Sequence, residues 1–104
     1  FMKLEKRENF NLAHSITDLN LFINNIELLK KNPKNLIIKL DSKLINNDSL
    51  ILSLVNYSSF WKTKHNSFIL VVGDFSIKNK NLVCVPTLDE AIDYLFMEEL
   101  ERNV

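Results

Sequence analysis

The chain has 104 residues, of which 46% are hydrophobic and 25% charged, and thirteen basic side chains balance thirteen acidic ones. This length suits one compact domain, taken as residues 2–104, and the balanced charge argues against a basic nucleic-acid-binding domain. A single cysteine excludes a disulfide framework and a thiolate zinc cluster. The longest apolar run, residues 68–72, is too short to cross a membrane, and the charged start is unlike a secretory signal. We therefore expect a cytoplasmic protein.

The first third of the chain predicts two strands followed by a helix. Residues 2–6 and 8–14 read as extended segments. In the second, Phe10, Leu12 and His14 alternate with Asn9, Asn11 and Ala13, which is the pattern of a half-buried strand. Thr17 or Asp18 is expected to cap a helix that runs to about Lys31. Its apolar stripe has helical spacing and comprises Leu19, Phe22, Ile23, Ile26 and Leu29.

The middle of the chain predicts a strand, a helix and a second strand. The strand covers residues 36–40, and the helix covers about residues 49–64 after a turn at residues 46–48. One face of this helix carries Leu50, Leu54, Tyr57 and Trp61. Residues 68–72 are apolar at every position, so we expect them to form the central strand of the sheet, covered on both faces.

The last part of the chain predicts one more short strand and a long helix. The strand covers residues 82–85, and Thr87 with Glu90 forms a capping box at the start of a helix that runs to about Arg102. The residues expected to be buried by this helix are Leu88, Ala91, Ile92, Leu95 and Phe96. Strands that alternate with helices predict an α/β fold with a mostly parallel sheet.

Motifs for catalysis and for metal or cofactor binding are missing from the sequence. With one glycine, neither a phosphate-binding loop nor a dinucleotide fingerprint can form. Cys84 lies between two valines in a strand, where a buried thiol is inert. His14 and His65 belong to different elements, and neither has a second ligand at metal-binding spacing. We expect no catalytic residue, no metal, no cofactor, and no hydrolase, nuclease or transferase activity.

Two aspartates follow predicted strands and suggest an alternative function. Ligands of open α/β sheets bind beyond the carboxyl ends of the strands, where Asp41 and Asp74 are expected. A small-molecule or nucleotide-binding module would use these two residues with Ser42 and Ser76. Aspartate is also a common turn residue, and turn formation is the favoured interpretation.

Charge is spread unevenly along the chain. From Thr87 onward six carboxylates face one arginine, which leaves twelve cations against seven carboxylates, a surplus of five, on residues 1–86. The C-terminal helix can present a solvated acidic face or an interaction surface.

The centre of the chain resembles the STAS family, the anti-sigma factor antagonists and related domains. The resemblance rests on the apolar strand and turn at residues 35–41, followed by the start of a helix. Asn47 stands at the family's aspartate, Asp48 at its first serine, Ser49 at its phosphorylatable serine, and Leu50 at its glycine. Three of the four motif positions therefore differ from the family.

Later segments extend the resemblance. Residues 61–62 and 67–73 are similar to the end of the family's central helix and the next strand, and residues 85–102 resemble small STAS-like chains of the Bacteroidetes, often encoded beside ribonuclease Z. The resemblance implies a mixed, mostly parallel sheet of four or five strands with about three helices. The family's helix between its last two strands is expected to be missing, because residues 73–81 are short for a helical crossover.

The resemblance implies a non-enzymatic regulatory protein–protein interaction domain with a degenerate phosphoserine switch at Ser49. We expect another protein as the partner, and neither nucleic acid nor a membrane; partner identity and oligomeric state stay open. A scaffolding subunit for a neighbouring enzyme is a further alternative. The candidate partner-binding residues are Asn47, Asp48, Leu52, Phe60, Met97, Glu98, Glu99 and Glu101.

The end of the last helix forms a second candidate docking site. Helical spacing directs Met97 away from the sheet and puts Glu99 on the apolar stripe, where a buried carboxylate without a partner would be costly. We therefore expect the last turn to overhang the core, either as an acidic handle for a basic, partly apolar partner or as a frayed end. On the handle hypothesis, truncation after Phe96 should leave the melting temperature nearly unchanged and abolish partner capture.

Overall fold

The computed structural model describes residues 2–73 and 79–103, which form one five-stranded sheet and four helices. The strands are β1 (Lys3–Lys6), β2 (Asn11–His14), β3 (Leu36–Lys39), β4 (Phe68–Val71) and β5 (Val83–Val85). The helices are α1 (Leu19–Leu29), α2 (Ser42–Ile45), α3 (Asp48–Thr63) and α4 (Leu88–Arg102). The predicted α/β class is confirmed.

The sheet is mixed and mostly parallel. Its strands lie in sequence order, with β1 antiparallel to β2 and the other neighbours parallel. The register sets Leu12 beside Ile37, Ile37 beside Ile69, and Ile69 beside Val83. The strand at residues 83–85, whose direction the sequence leaves open, runs parallel to β4.

The sheet separates two apolar clusters, so the fold has three layers. On one face, α1 and α3 pack through Phe22, Ile26, Leu54 and Trp61. On the other face, α4 packs through Ala91 and Leu95 against side chains of β2, β3 and β4. The stripes predicted for the first two long helices are confirmed, because each of their residues is buried or packed against the first cluster.

Side-chain caps explain where the three long helices begin. The Asp18 carboxylate accepts hydrogen bonds from the backbone N–H groups of Asn20 and Leu21, and the Thr87 hydroxyl accepts one from Glu90 N–H. The side-chain oxygen of Asn47 caps α3. The helix begins one residue earlier than predicted, at Asp48, because Asn47 caps it by reaching the N–H group of Leu50.

Two details of the layout differ from the prediction. β4 is buried at every position, as expected, but β3 holds the middle place in the sheet, because the chain adds β1 outside β2. α2 was not anticipated, since one turn is too short to show helical periodicity. The sequence predicts that no helix joins the last two strands. Most of that connection, residues 74–78, lies outside the described ranges.

The prediction that α4 buries Phe96 is wrong, because this side chain is exposed. At 100° per residue it lies about 100° from Leu95 on the helix, so it points along the sheet instead of into it. The narrower sheet-facing stripe of α4 consists of Leu88, Ala91, Ile92 and Leu95.

Candidate functional site

The start of α3, where the family resemblance places its switch, borders a shallow groove with polar and apolar walls. Asp48 and Ser49 are both exposed there. Ser49 and Asn47 line a hollow of about 160 Å³ whose other wall comes from the start of α1, at Leu19 and Ile23. The hollow is open to solvent, and the Asn47 side chain is already engaged in capping the helix.

Ser49 should be a poor kinase substrate. A phosphate is stabilised at a helix N-terminus by free N–H groups and the helix dipole. Here Asp48 already provides a negative charge in the first turn, and Asn47 occupies the Leu50 N–H group. Mass spectrometry of the protein from its host should show no appreciable Ser49 phosphorylation, and stoichiometric phosphate there would contradict this expectation.

The two apolar candidates on α3 have different environments. Leu52 is 64% exposed and stands away from the sheet. Phe60 is half-buried against Trp61, with the ammonium groups of Lys30 and Lys64 at 4.8 Å and 5.6 Å from its ring centroid. Because cation–π contacts already occupy Phe60, Leu52 is the more accessible of the two candidate residues.

The contact between α1 and α3 includes a buried tyrosine. Tyr57 lies beside Glu27 and Lys30, whose ammonium group is 5.7 Å from the tyrosine ring centroid. Burial, together with a hydrogen bond and the charge of Glu27, raises the pKa of Tyr57 to about 12. The hydroxyl is therefore neutral at physiological pH and serves the packing of the two helices.

At the carboxyl edge of the sheet, Asp41 lines an open hollow of about 280 Å³ and is also engaged in local hydrogen bonds. Asp41 caps α2 by accepting a hydrogen bond from Lys43 N–H, and Ser42 donates its hydroxyl to the same carboxylate. Asp74 and Ser76, the other residues of the alternative binding site, lie outside the described ranges. Asp41 is thus a turn and cap residue, which is the interpretation that the sequence analysis favoured.

The Ser15 hydroxyl lies beside the His14 imidazole, a pairing that the sequence analysis did not predict. His14 Nδ1 is 3.0 Å from the Ser15 hydroxyl, and its Nε2 atom is 3.1 Å from a carboxylate oxygen of Glu5 on the neighbouring strand. The distance to Glu5 is short, yet Nε2 has no hydrogen-bond partner with an acceptable angle. The carboxylate therefore does not hold the imidazole in the orientation that activates a catalytic serine.

The remaining reactive side chains have structural roles. Cys84 is half-buried, and burial raises the pKa of its thiol, which keeps the unreactive protonated form. His65 is exposed just after α3 with a φ of 60°. Within residues 2–73 and 79–103, no group of three or more His, Cys, Asp or Glu side chains could hold a metal ion, and no helix could span a membrane.

The outward side of α4 is the most distinctive surface of the described chain. It exposes Tyr94, Phe96, Met97 and Leu100 by 39, 62, 60 and 54%. The other large apolar side chains that are exposed come singly or in pairs from β1, α1 and α3. We call these four residues, with Asp89, Glu90 and Asp93 on the preceding turns, the α4 outer surface. Its first turns are acidic, and its second half carries the apolar side chains together with the exposed Glu101.

The end of α4 is attached to the sheet, so the expected overhang is wrong. Arg102 lies seven residues after Leu95, on the sheet-facing stripe, and donates hydrogen bonds to the Ser67 hydroxyl at 3.0 Å and to Asn35 Oδ1 at 3.4 Å. Both acceptors lie at the amino ends of central strands. A frayed end is excluded for the same reason, and truncation after Phe96 would remove this attachment as well as Met97.

The carboxylates near the end of α4 have unequal exposure. Glu98 and Glu99 are half-buried, whereas Glu101 is exposed as expected. Burial raises the pKa of Tyr94, and the negative charges of Glu98 and Glu101 raise it further. Tyr94 therefore stays a neutral, partly apolar contact residue beside acidic groups.

Comparison with known proteins does not name a function for this surface. Scanning the chain against protein-family models gives no match, and searching the curated proteins gives no similar sequence.

Proposed function

We propose that the chain is a STAS-like, non-enzymatic regulatory domain of the cytoplasm that binds another protein through the α4 outer surface. The observation that carries the proposal is the group of four large apolar side chains exposed on one helix, with Met97 and Leu100 on its outer side and Tyr94 and Phe96 on its two flanks. Exposed apolar side chains gathered in one patch are typical of interaction sites, whereas scattered ones need no explanation.

The patch is large enough to contribute measurable affinity. Complete burial of one such side chain is worth about 1.5–3 kcal/mol, so four that are roughly half exposed offer about 3–6 kcal/mol. Every 1.4 kcal/mol changes a dissociation constant about tenfold. Part of this gain offsets the cost of association, which favours a regulated, reversible complex.

Charge defines the kind of partner. Asp89, Glu90 and Asp93 precede the apolar side chains, the exposed Glu101 lies among them, and residues 88–101 include no basic side chain. A matching partner segment is amphipathic, with leucine-like side chains along one face and lysine or arginine beside them.

Point substitutions on α4 test this function better than truncation, which would also remove Arg102. We expect the Met97→Lys/Leu100→Lys variant to bind its partner at least tenfold more weakly, because it replaces two apolar contacts with cations that repel a basic segment. The measurement is affinity capture from host lysate, identification of the prey, and titration of the purified prey against both proteins.

Leu52→Lys is the matched control, since Leu52 is equally exposed but lies on α3. It should bind the prey like the unmodified chain. Equal capture by the α4 variant would contradict the proposal, and loss only with Leu52→Lys would move the docking site to α3. A thermal shift with nucleotides, reproducible at micromolar ligand, would favour the alternative small-molecule module.

A further inference from the structure

Asn11 is a polar side chain at a strand position where an apolar one would normally lie. It stands between Lys6 of β1 and Leu36 of β3, on the same face of the sheet as Ala13, which belongs to the apolar cluster beneath α1 and α3. Asn11 is 8% exposed, and its side-chain amide forms no hydrogen bond with any residue that the structure describes. A buried amide is costly unless water or a ligand completes its hydrogen bonds.

Two hollows open beside Asn11 at the amino edge of the sheet. The larger, of about 340 Å³, extends along the turn between β1 and β2 to Asn35 and Asn66. The smaller, of about 180 Å³, lies beneath the end of α1. Lys6, Asn11 and Lys34 line both hollows, which we therefore treat together as the Asn11 site. Its larger part has the volume of a pocket for a small molecule.

The Asn11 site is positively charged on the side beneath α1. Lys6 and Lys34 are exposed, and neither forms an ion pair with a described residue. The lining of the smaller hollow includes these two ammonium groups and no carboxylate among the described residues. The larger hollow adds Arg7, which is paired with Glu5 at 3.6 Å, and one carboxylate, Glu8. The unpaired lysines therefore favour an anion beside Asn11.

The end of α1 is compatible with an anion. Free carbonyl groups at a helix C-terminus disfavour negative charge, but those of Leu28 and Leu29 accept hydrogen bonds from the N–H groups of Lys31 and Asn32. The side chains of Leu28 and Leu29 form an apolar wall of the smaller hollow. A site that combines ammonium, amide and apolar groups suits an organic anion better than a bare ion.

We propose that the Asn11 site binds a small phosphate monoester, whose phosphate lies beside Lys6 and Lys34. A phosphate monoester carries about −1.5 to −2 charges at pH 7, which two ammonium groups balance better than the single charge of a carboxylate. The Asn11 amide can donate an N–H to a phosphate oxygen and accept a hydroxyl of the ester. This site goes beyond the proposed function, because no described residue of α4 lines it, and it lies at the opposite edge of the sheet from Asp41.

Two variants separate ligand binding from folding. Asn11→Leu replaces the unpartnered amide with an apolar side chain of similar size, so the melting temperature should stay the same or rise while binding is lost. Lys6→Gln/Lys34→Gln removes two charges at exposed positions. Lys43→Gln/Lys80→Gln is the matched control, because both lysines are exposed and line neither hollow.

The full chain, labelled with ¹⁵N, is titrated with ribose 5-phosphate in nuclear magnetic resonance spectra, with chloride holding the ionic strength constant. We expect saturable shifts of the Asn11 side-chain amide signals, which are identified by their absence from Asn11→Leu. Affinity should fall about tenfold or more in Asn11→Leu and in Lys6→Gln/Lys34→Gln, since each removes hydrogen bonds to a charged group. The control variant should bind like the unmodified chain. Inorganic phosphate should bind more weakly, because it lacks the hydroxyl groups that Asn11 can accept.

The absence of saturable shifts at millimolar ribose 5-phosphate would overturn the inference and leave water as the partner of Asn11. Unchanged affinity in Lys6→Gln/Lys34→Gln, or shifts centred on Asp41, would also overturn it. If inorganic phosphate binds as tightly as ribose 5-phosphate, the assignment of an ester is wrong. A melting temperature of Asn11→Leu that falls by more than about 5 °C would show that the amide stabilises the fold, against the inference.

Discussion

Replacing Trp61 with alanine should lower the free energy of unfolding by about 3–5 kcal/mol, the usual cost of removing a large aromatic side chain from a core. Trp61 is 1% exposed and lies between α3 and the sheet. Its ring centroid is 5.4 Å from that of Phe68 and 5.6 Å from that of Phe60, and its indole N–H donates a 2.8 Å hydrogen bond to the Lys34 carbonyl. Since small domains are stable by only about 5–15 kcal/mol, this loss would remove a large share of the stability.

Urea denaturation followed by far-ultraviolet circular dichroism measures the effect, because Trp61 is the only tryptophan and its fluorescence disappears with it. Trp61→Phe keeps most of the packing but leaves the Lys34 carbonyl without its donor, so about 1–2 kcal/mol should be lost. Leu52→Ala, at an exposed position, should change stability by less than about 0.5 kcal/mol. An alanine variant within 1 kcal/mol of the unmodified chain would show that this packing is not important.

Asn35→Ala should cost about 2–3 kcal/mol, because it removes the acceptor of a buried donor. The side-chain oxygen of Asn35 accepts the Ser67 N–H at 2.8 Å and an N–H of Arg102, while its amide donates to the Asn9 carbonyl. Ser67 is buried, so its N–H cannot turn to water after the substitution. The loss should appear in the same urea experiment.

Asn35→Asp is the matched control. It retains the oxygen acceptor for Ser67 and gives Arg102 a charged partner, at the cost of the donor to Asn9. We expect it to stay within about 1 kcal/mol of the unmodified chain, since hydrogen bonds to charged groups are stronger than neutral ones. If Asn35→Asp and Asn35→Ala destabilise the chain equally, the side-chain oxygen of Asn35 is not important as a hydrogen-bond acceptor.

The candidate surfaces were partly predictable. Helical spacing by itself directs Met97 outward and leaves Leu52 away from the core stripe, and both side chains are exposed. The same spacing failed for Phe96, because the width of a buried stripe depends on how many strands lie beneath the helix. The placement of α1 and α4 on opposite faces of one sheet also needed the fold.

The sequence alone determined the order and type of the long elements, because apolar period, caps and prolines act within a few residues. The caps at Asp18 and Thr87 are examples. Tertiary structure decided which distant residues meet: Arg102 with Ser67, and Glu5 with His14. These contacts depend on strand order and register, which arise from the packing of all layers together and leave no local pattern in the chain.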